Sequence, residues 1–268
     1  LTQNTIMLQN LKHIEGRALQ ARDGTLGEVK DFYFDDAHWQ VRYLVIETGA
    51  WLNARRVLIS TDAVQPLQTN PDVLAVDLTM EQVRESPELN TDNPVAHDQE
   101  AALRKYYGWP AYWNAFASVA GPIINTLGPG FMPTAAPVTK TSDPHLRSAN
   151  QLIGCQIEAT DGSIGHVEDF LIDEKGWRMR YLVIDTGQWL PGRKVIVAPG
   201  WIRDVSWDKK TVSVGLTQES IKASPAYEAS ASWNKEYVER LHDYYGLPRP
   251  ADLDTEASRP DATGLRAE

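Results

Sequence analysis

Arg42-Tyr43-Leu44-Val45-Ile46 is the run that decides the fold, because it returns unchanged as Arg180-Tyr181-Leu182-Val183-Ile184, 138 positions further on. Reading outward from it keeps the same register with no gap. Toward the amino terminus, Asp23-Gly24 and Asp31-Phe32 become Asp161-Gly162 and Asp169-Phe170. Toward the carboxyl terminus, Thr48-Gly49, Trp51-Leu52 and Tyr106-Tyr107-Gly108 become Thr186-Gly187, Trp189-Leu190 and Tyr244-Tyr245-Gly246. The segment from Gly16 to Pro110 thus maps onto Gly154 to Pro248. A fixed period of this kind marks a duplicated structural unit. It also provides an internal control, since a residue kept in both copies belongs to the shared unit and a residue found once does not.

The first two thirds of each copy read as short strands. Asp23-Gly24 and Asp161-Gly162 are hairpin signals, both residue types tolerating the positive φ of a tight turn. Leu26 to Phe34 and Trp39 to Thr48 follow, rich in β-branched and aromatic residues and separated by the polar Asp35-Asp36-Ala37-His38. A pair closed there sets Phe34 opposite Trp39 and, counting back, Asp31 opposite Arg42; the second copy repeats this with Asp169 and Arg180. Arg55 to Ser60 and Val73 to Leu78 complete roughly five closely spaced strands, a pattern that favours a small barrel over a parallel α/β sheet.

The last third changes period. Thr79 with Gln82 three residues on is a capping box, and Ser86-Pro87 ends that helix. Thr217 and Ser224-Pro225 bracket its equivalent, although Ser220 sits where the box wants Glu or Gln. A second helix follows in each copy, ended by Gly108-Pro110 and by Gly246 with Pro248; Ser232 is its cap in the second copy. The paired tyrosines Tyr106-Tyr107 and Tyr244-Tyr245 are expected to dock these helices on the strands.

The resulting organisation is mainly β with α: residues 8–110 form the first unit (barrel 11–78, helices 79–108) and residues 149–248 the second (barrel 149–216, helices 217–246). Between them residues 111–148 form an apolar, Pro- and Gly-rich linker, and residues 249–268 read as a disordered tail. No charged residue occurs from Tyr106 through Thr139. A membrane span needs about 20 mostly apolar residues, and Asn114, Gly121-Pro122 and Gly128-Pro129-Gly130 interrupt each such window.

Composition excludes several classes of function. Apolar residues at 42% and charged residues at 23% of 268 are globular values. Twenty-six basic against 36 acidic residues give a net charge of −10, which repels a phosphate backbone, so nucleic acid is not an expected partner. Cys155 is the only cysteine, which removes intramolecular disulfides and multi-cysteine metal sites; it reads as a small packing residue. The amino terminus has no basic region followed by an apolar core, so no secretory signal is expected, and a cytoplasmic setting is the default.

The repeated carboxylates Asp31, Asp35 and Glu47, with Asp169, Asp173 and Asp185, invite an acid–base reading. Such work needs two carboxylates whose environments drive their pKa values apart. The strand count offers a plainer account, with Asp31–Arg42 and Asp169–Arg180 as structural cross-strand ion pairs. Each of the six histidines occupies a single-copy position and none has the spacing of a helical metal pair, so they read as solvated or capping residues. No catalytic, cofactor-binding or metal site is expected. The candidate interaction surface is aromatic: Trp51 and Trp189, which either cap the barrel or face a partner, and Trp109, Trp113 and Phe116 near the junction.

With these residues in view, the repeat resembles the PRC-barrel domain, the small β-barrel of the photosynthetic reaction-centre H subunit and of a ribosome-maturation factor. The likeness rests on Ile14-Glu15-Gly16, Asp23 to Gly27, Asp31 to Asp36, Trp39 to Ile46, Thr48 to Leu52 and Arg56 to Ile59. In the second copy it rests on Leu152 to Gly154, Asp161 to Gly165, Asp169 to Asp173, Trp177 to Thr186 and Lys194 to Val197. The resemblance implies a non-enzymatic adaptor that binds an unidentified protein, while the duplication itself predicts pseudo-two-fold symmetry within the chain, with a homodimer as an open alternative. Two rival expectations are a membrane-surface accessory protein, H-subunit-like and peripheral to the inner membrane, and a small-ligand binder at the cleft between the barrels.

Overall fold

The computed structural model describes residues 8–65, 73–88, 95–114, 146–173, 176–187, 192–227 and 235–246. The first half carries β1 (Leu8–Asn10), α1 (Leu11–Ile14), β2 (Ala18–Gln20), β3 (Thr25–Asp35), β4 (Gln40–Thr48), β5 (Arg56–Ser60), β6 (Val73–Ala75), α2 (Met80–Arg84) and α3 (His97–Tyr107). The second carries β7 (Leu146–Ser148), α4 (Ala149–Leu152), β8 (Gln156–Ala159), β9 (Gly162–Asp173), β10 (Met179–Asp185) and β11 (Lys194–Val197), then β12 (Ile202–Ser206), β13 (Thr211–Val214), α5 (Gln218–Ala223) and α6 (Lys235–Tyr245). The chain is therefore mainly β with short helices.

Two sheets result, ordered β5-β4-β3-β2-β6 and β11-β10-β9-β8-β13-β12. In each, an antiparallel meander ends in a parallel contact, β6 on β2 and β13 on β8. Among the described residues neither ladder closes on itself, so the sheets are open where the sequence reading expects barrels. Among the described residues the counterpart of β12 in the first half is the bridge of Val64 to Val76.

Burial explains why strand and helix go together. Tyr43 to Ile46 and Tyr181 to Ile184 are buried without a break, which is the pattern of a strand covered on both faces. One face of β4 holds Leu44 and Ile46 in the main core with Val57 and Ile59; the other holds Tyr43 and Val45 in a second cluster with Leu58 and Leu103 of α3. The short helices begin on shared chemistry. Thr79 accepts from the Gln82 N–H while Gln82 accepts from Thr79, and Thr217 and Ser220 make the same reciprocal pair, so a serine closes the second box. The repeated Asp23 and Asp161 add a further acceptor, taking the N–H of Met80 and of Gln218. Ser86 and Ser224, at the helix ends, accept through their carbonyls from Arg55 and Arg193. Tyr106 and Tyr244 reach back to the carbonyls of Gln82 and Ser220.

The register departs from the simple count. Val29 faces Ile46, Asp31 faces Val45 and Phe34 faces Val41, because the β3–β4 ladder slips twice. Lys30 is the extra residue on β3 and Arg42 the extra residue on β4, as expected of a β-bulge. In the second half the slips leave Glu168 and Arg180 over at the same places. Asp31 therefore does not face Arg42, nor Asp169 Arg180. The bulged arginines turn toward the hairpin end instead, where Arg42 pairs with Asp35 at 3.2 Å and Arg180 with Asp173 at 2.9 Å.

The division into units also needs correction. Residues 146–148, assigned above to the linker, form β7, and this strand pairs with β3 of the first half. Reciprocally, β1 pairs with β9 of the second half. Tyr112–Asn114 form a short 3-10 turn; the rest of the expected linker, residues 115–145, and the expected tail lie outside the described residues, as does Ser232.

One repeated position is fixed by a close approach of backbones. Gly27 and Gly165 have φ of +156° and +74°, and a methyl built on either runs into the carbonyl oxygen of Glu47 or Asp185 on the adjoining strand. Here the Asp-Gly-x-x-Gly pattern needs its second glycine for space as much as for conformation.

Candidate functional site

The two halves meet at their β3–β4 and β9–β10 turns. Trp39 and Trp177 sit at matching places with φ of 55° and 54°, a strained left-handed conformation for a bulky residue. It is held by the N–H of each reaching back to the carbonyl of Asp35 or Asp173, at 2.7 and 2.8 Å. Their own carbonyls then cross the junction: Trp177 accepts from the Val41 N–H and Trp39 from the Met179 N–H, both at 2.9 Å. Between these bonds Gln40 bridges Arg178, its own equivalent in the other half. A position that pairs with itself lies on a local two-fold.

The carboxylates around this junction are committed to structural partners. Buried Asp35 accepts from the N–H groups of Ala37 and His38, from the His38 ring at 2.8 Å and from Arg42. Burial alone would push its pKa up, but the His38 hydrogen bond and the Arg42 guanidinium outweigh it and hold the carboxyl below the usual range. A depressed carboxylate pKa contributes stability that is fully present above the unfolded value near 4 and is lost as pH falls through the lower folded value. Replacing Asp35 with Asn is thus expected to flatten the acid limb of the stability-against-pH curve below about pH 4, measured by urea unfolding across pH. An acid limb unchanged from the parent would show that Asp35 is not its source.

Asp31 and Asp169 do something the strand count did not anticipate. Asp31 takes the Phe32 N–H at 2.7 Å, the Asn150 N–H at 3.2 Å and the Ser148 hydroxyl. Asp169 takes the Phe170 N–H at 2.8 Å, the Lys12 N–H at 3.2 Å and the Asn10 amide at 2.7 Å. Each carboxylate thereby grips the strand and helix start contributed by the other half. Burial pushes the Asp31 carboxyl up in spite of these donors.

Beside the junction lies an open cleft of about 290 Å³, bounded by Asp36 and Trp39 from the first half and by Arg203, Asp204 and Trp207 on and after β12. Buried Phe34 packs on both indoles, stacked on Trp39 at 5.4 Å and tilted against Trp207 at 6.5 Å. Arg147 lies 4.8 Å over the Trp207 ring and pairs with Asp36 at 3.4 Å. β12 is the last strand of its sheet, so its outer edge lines an opening and carries no neighbouring strand in the described ladder.

The model of the PRC-barrel domain matches this chain twice, over residues 12–83 and 144–215, together more than half of its length. The chain belongs to the PRC-barrel domain family. No curated protein matches it.

Within the PRC-barrel units, the aromatic residues singled out from sequence are dispersed. Trp51 folds back: it is half-buried against the core, its indole N–H donates to the Leu26 carbonyl at 2.8 Å, and it caps the sheet. Trp109 stacks on Tyr107 at 4.2 Å and packs over α3, while Trp113 meets the edge of His97 at 4.3 Å. Trp189 and Phe116 lie outside the described residues. None of the described three lines the cleft. Trp39 does; it is not among the residues expected to form an interaction surface, although the repeat keeps Trp177 in its place, and Trp207, with Thr69 as its counterpart, has no repeat signal.

The helices that cover the two sheets are anchored differently. On α3, Glu100 and Arg104 are buried and meet on the Tyr43 phenol, which donates to Glu100 at 2.8 Å and accepts from Arg104 at 3.0 Å. Arg104 also pairs with Asp62 at 2.7 Å, and Tyr112 donates to Glu100 at 3.2 Å. The matching residues of α6 are Val238 and His242. His242, expected to be solvated or capping, is instead buried, 3.1 Å from the Tyr181 phenol oxygen and packed on Trp201. Cys155 is buried as a packing residue, its thiol donating to the Gln151 carbonyl at 3.2 Å. Among the described residues no helix is long and apolar enough to cross a membrane.

Proposed function

We propose that this PRC-barrel chain is a non-catalytic adaptor, made of two like barrels that arose by internal duplication, and that the cleft at their junction receives a protein partner in the cytoplasm. The observation that carries this reading is the pairing of two indole rings with an edge strand at the junction. Tryptophan combines large apolar area with a polar edge, and such residues dominate the energetics of protein interfaces. The repeated carboxylates support a structural over a catalytic use. Asp31 and Asp169 serve as acceptors between the halves, and Asp35 and Asp173 hold their turns and the bulged arginines.

The test is capture from the native cell with the full chain and its Trp207→Ala and Asp204→Lys variants as baits. A partner that docks in the cleft is expected to fall by at least about 30-fold in affinity on loss of a central tryptophan, corresponding to about 2 kcal/mol. Partners recovered equally by parent and both variants would remove the cleft from the reading. The polar lining favours one second reading, a small ligand in the same cleft, whose volume lies at the lower bound of ligand pockets. Calorimetric titration of a metabolite panel against parent and Trp207→Ala separates the two, since a small ligand binds the chain with no partner protein present.

A further inference from the structure

Each half of the molecule lacks a strand that the other half supplies. β1 lies on β9 with Leu8 opposite Asp173 and Asn10 opposite Leu171; β7 lies on β3 with Leu146 opposite Asp35 and Ser148 opposite Tyr33. These two ladders are the same ladder, position for position. The side-chain bonds repeat as faithfully. In each case the last residue of the donated strand, Asn10 or Ser148, gives a side-chain hydrogen to the acceptor aspartate of the other half, and the residue two further on, Lys12 or Asn150, gives its backbone N–H. The helices that follow are carried across with the strands, α1 packing on β9 and α4 on β3. Leu11, Ile14, Ala149 and Leu152 enter one continuous core with both sheets. At the centre Gln40 meets Arg178.

Reciprocity of this kind, with residue i meeting j while j's equivalent meets i's, is the geometry of an isologous dimer interface. Joining the halves in one chain raises the effective concentration of one near the other. The contacts themselves do not require the halves to belong to one molecule. We infer that the strand-exchange face is a recognition surface for a second copy of this chain, so that the first half of one molecule accepts the second half of another through β1, β7 and the two aspartates. Arg147 of β7 also lies over the Trp207 ring beside the indole cleft, so the test replaces Asp31 and Asp169, which do not line that cleft.

The experiment uses the full chain with a site-specific protease sequence inserted after Gly130, cut after folding. The two fragments are expected to co-elute at the size of the uncut chain at micromolar concentration. Tagged and untagged cut protein, mixed and cycled through partial unfolding in urea, are expected to yield hybrids in which an untagged first half is retained by a tagged second half. Replacing both Asp31 and Asp169 with Ala is expected to weaken the association of the cut halves by at least about 100-fold, since each carboxylate accepts two charge-assisted hydrogen bonds from the other half. Circular dichroism of the uncut double variant checks that it folds, and if it does not, mixing of the cut parent decides the matter. Fragments that separate on cutting with both aspartates present, hybrids that never form, or hybrids that form equally well without the aspartates would overturn the inference.

Discussion

Replacing Arg104 with methionine should lower the stability of the folded chain by about 3–5 kcal/mol, the range for removing one partner of a buried charged network. Glu100 and Arg104 are both buried and connect through Tyr43. Without Arg104, the Tyr43 phenol that donates to Glu100 loses its own guanidinium donor, and the Glu100 carboxylate, held also by the Tyr112 hydroxyl, stays buried beneath α3. The second half shows an arrangement that needs neither charge, with Val238 and His242 at the matching places beneath Tyr181. The double replacement Glu100→Val with Arg104→His is accordingly expected to recover most of the loss, a coupling that only neighbouring groups show. Urea unfolding of parent, single and double variants measures all three terms. An Arg104→Met variant within about 1 kcal/mol of the parent would mean that the network is solvated in solution.

Alanine at Gly27 or Gly165 is expected to cost about 3 kcal/mol, at the upper end for forcing an extra group into a packed site. The added methyl meets the backbone of the adjoining strand, and backbone cannot rotate aside as a side chain can. Gly154 is the control. Its φ of +81° is as unfavourable for alanine, yet nothing lies within 4 Å of the place the methyl would occupy. Gly154→Ala should therefore show only the conformational cost of about 1 kcal/mol. Equal losses at Gly154 and Gly165 in thermal or urea unfolding would show that φ, and not crowding by Asp185, is what the repeat preserves.

The strands and the capped helices were readable because each rests on local chemistry. Thr79 with Gln82, the aromatic and β-branched runs, and the tyrosine pairs that bind back to Gln82 and Ser220 all act within one copy. Register was not readable, since a bulge leaves no mark in the alternation of apolar residues when, as from Tyr43 to Ile46, both faces of the strand are buried. That is why Asp31 was matched to Arg42 when the bulge turns Arg42 toward Asp35. The exchange of β1 and β7 was hidden for another reason. When two copies carry the same pattern, a strand satisfies the same partner in its own copy or in the other, and three-residue strands such as Leu8–Asn10 are too short to show a period. The cleft was half legible: Trp39 is repeated, but Trp207 gains its place through β12, which the first half does not match among the described residues.

The pairing of Gln40 with Arg178 has a consequence for how the molecule can vary. In an assembly of identical chains every substitution appears on both sides of the axis at once, so a change that suits one side must be tolerated by the other. Here the two sides are encoded separately, and the position on the axis itself already holds a glutamine facing an arginine. The same freedom is visible where a charged cluster under one helix answers to a valine and a histidine under the other, and where Trp207 answers to Thr69. Joining two like units in one chain keeps the geometry of a symmetric pair while lifting the rule that its faces be alike.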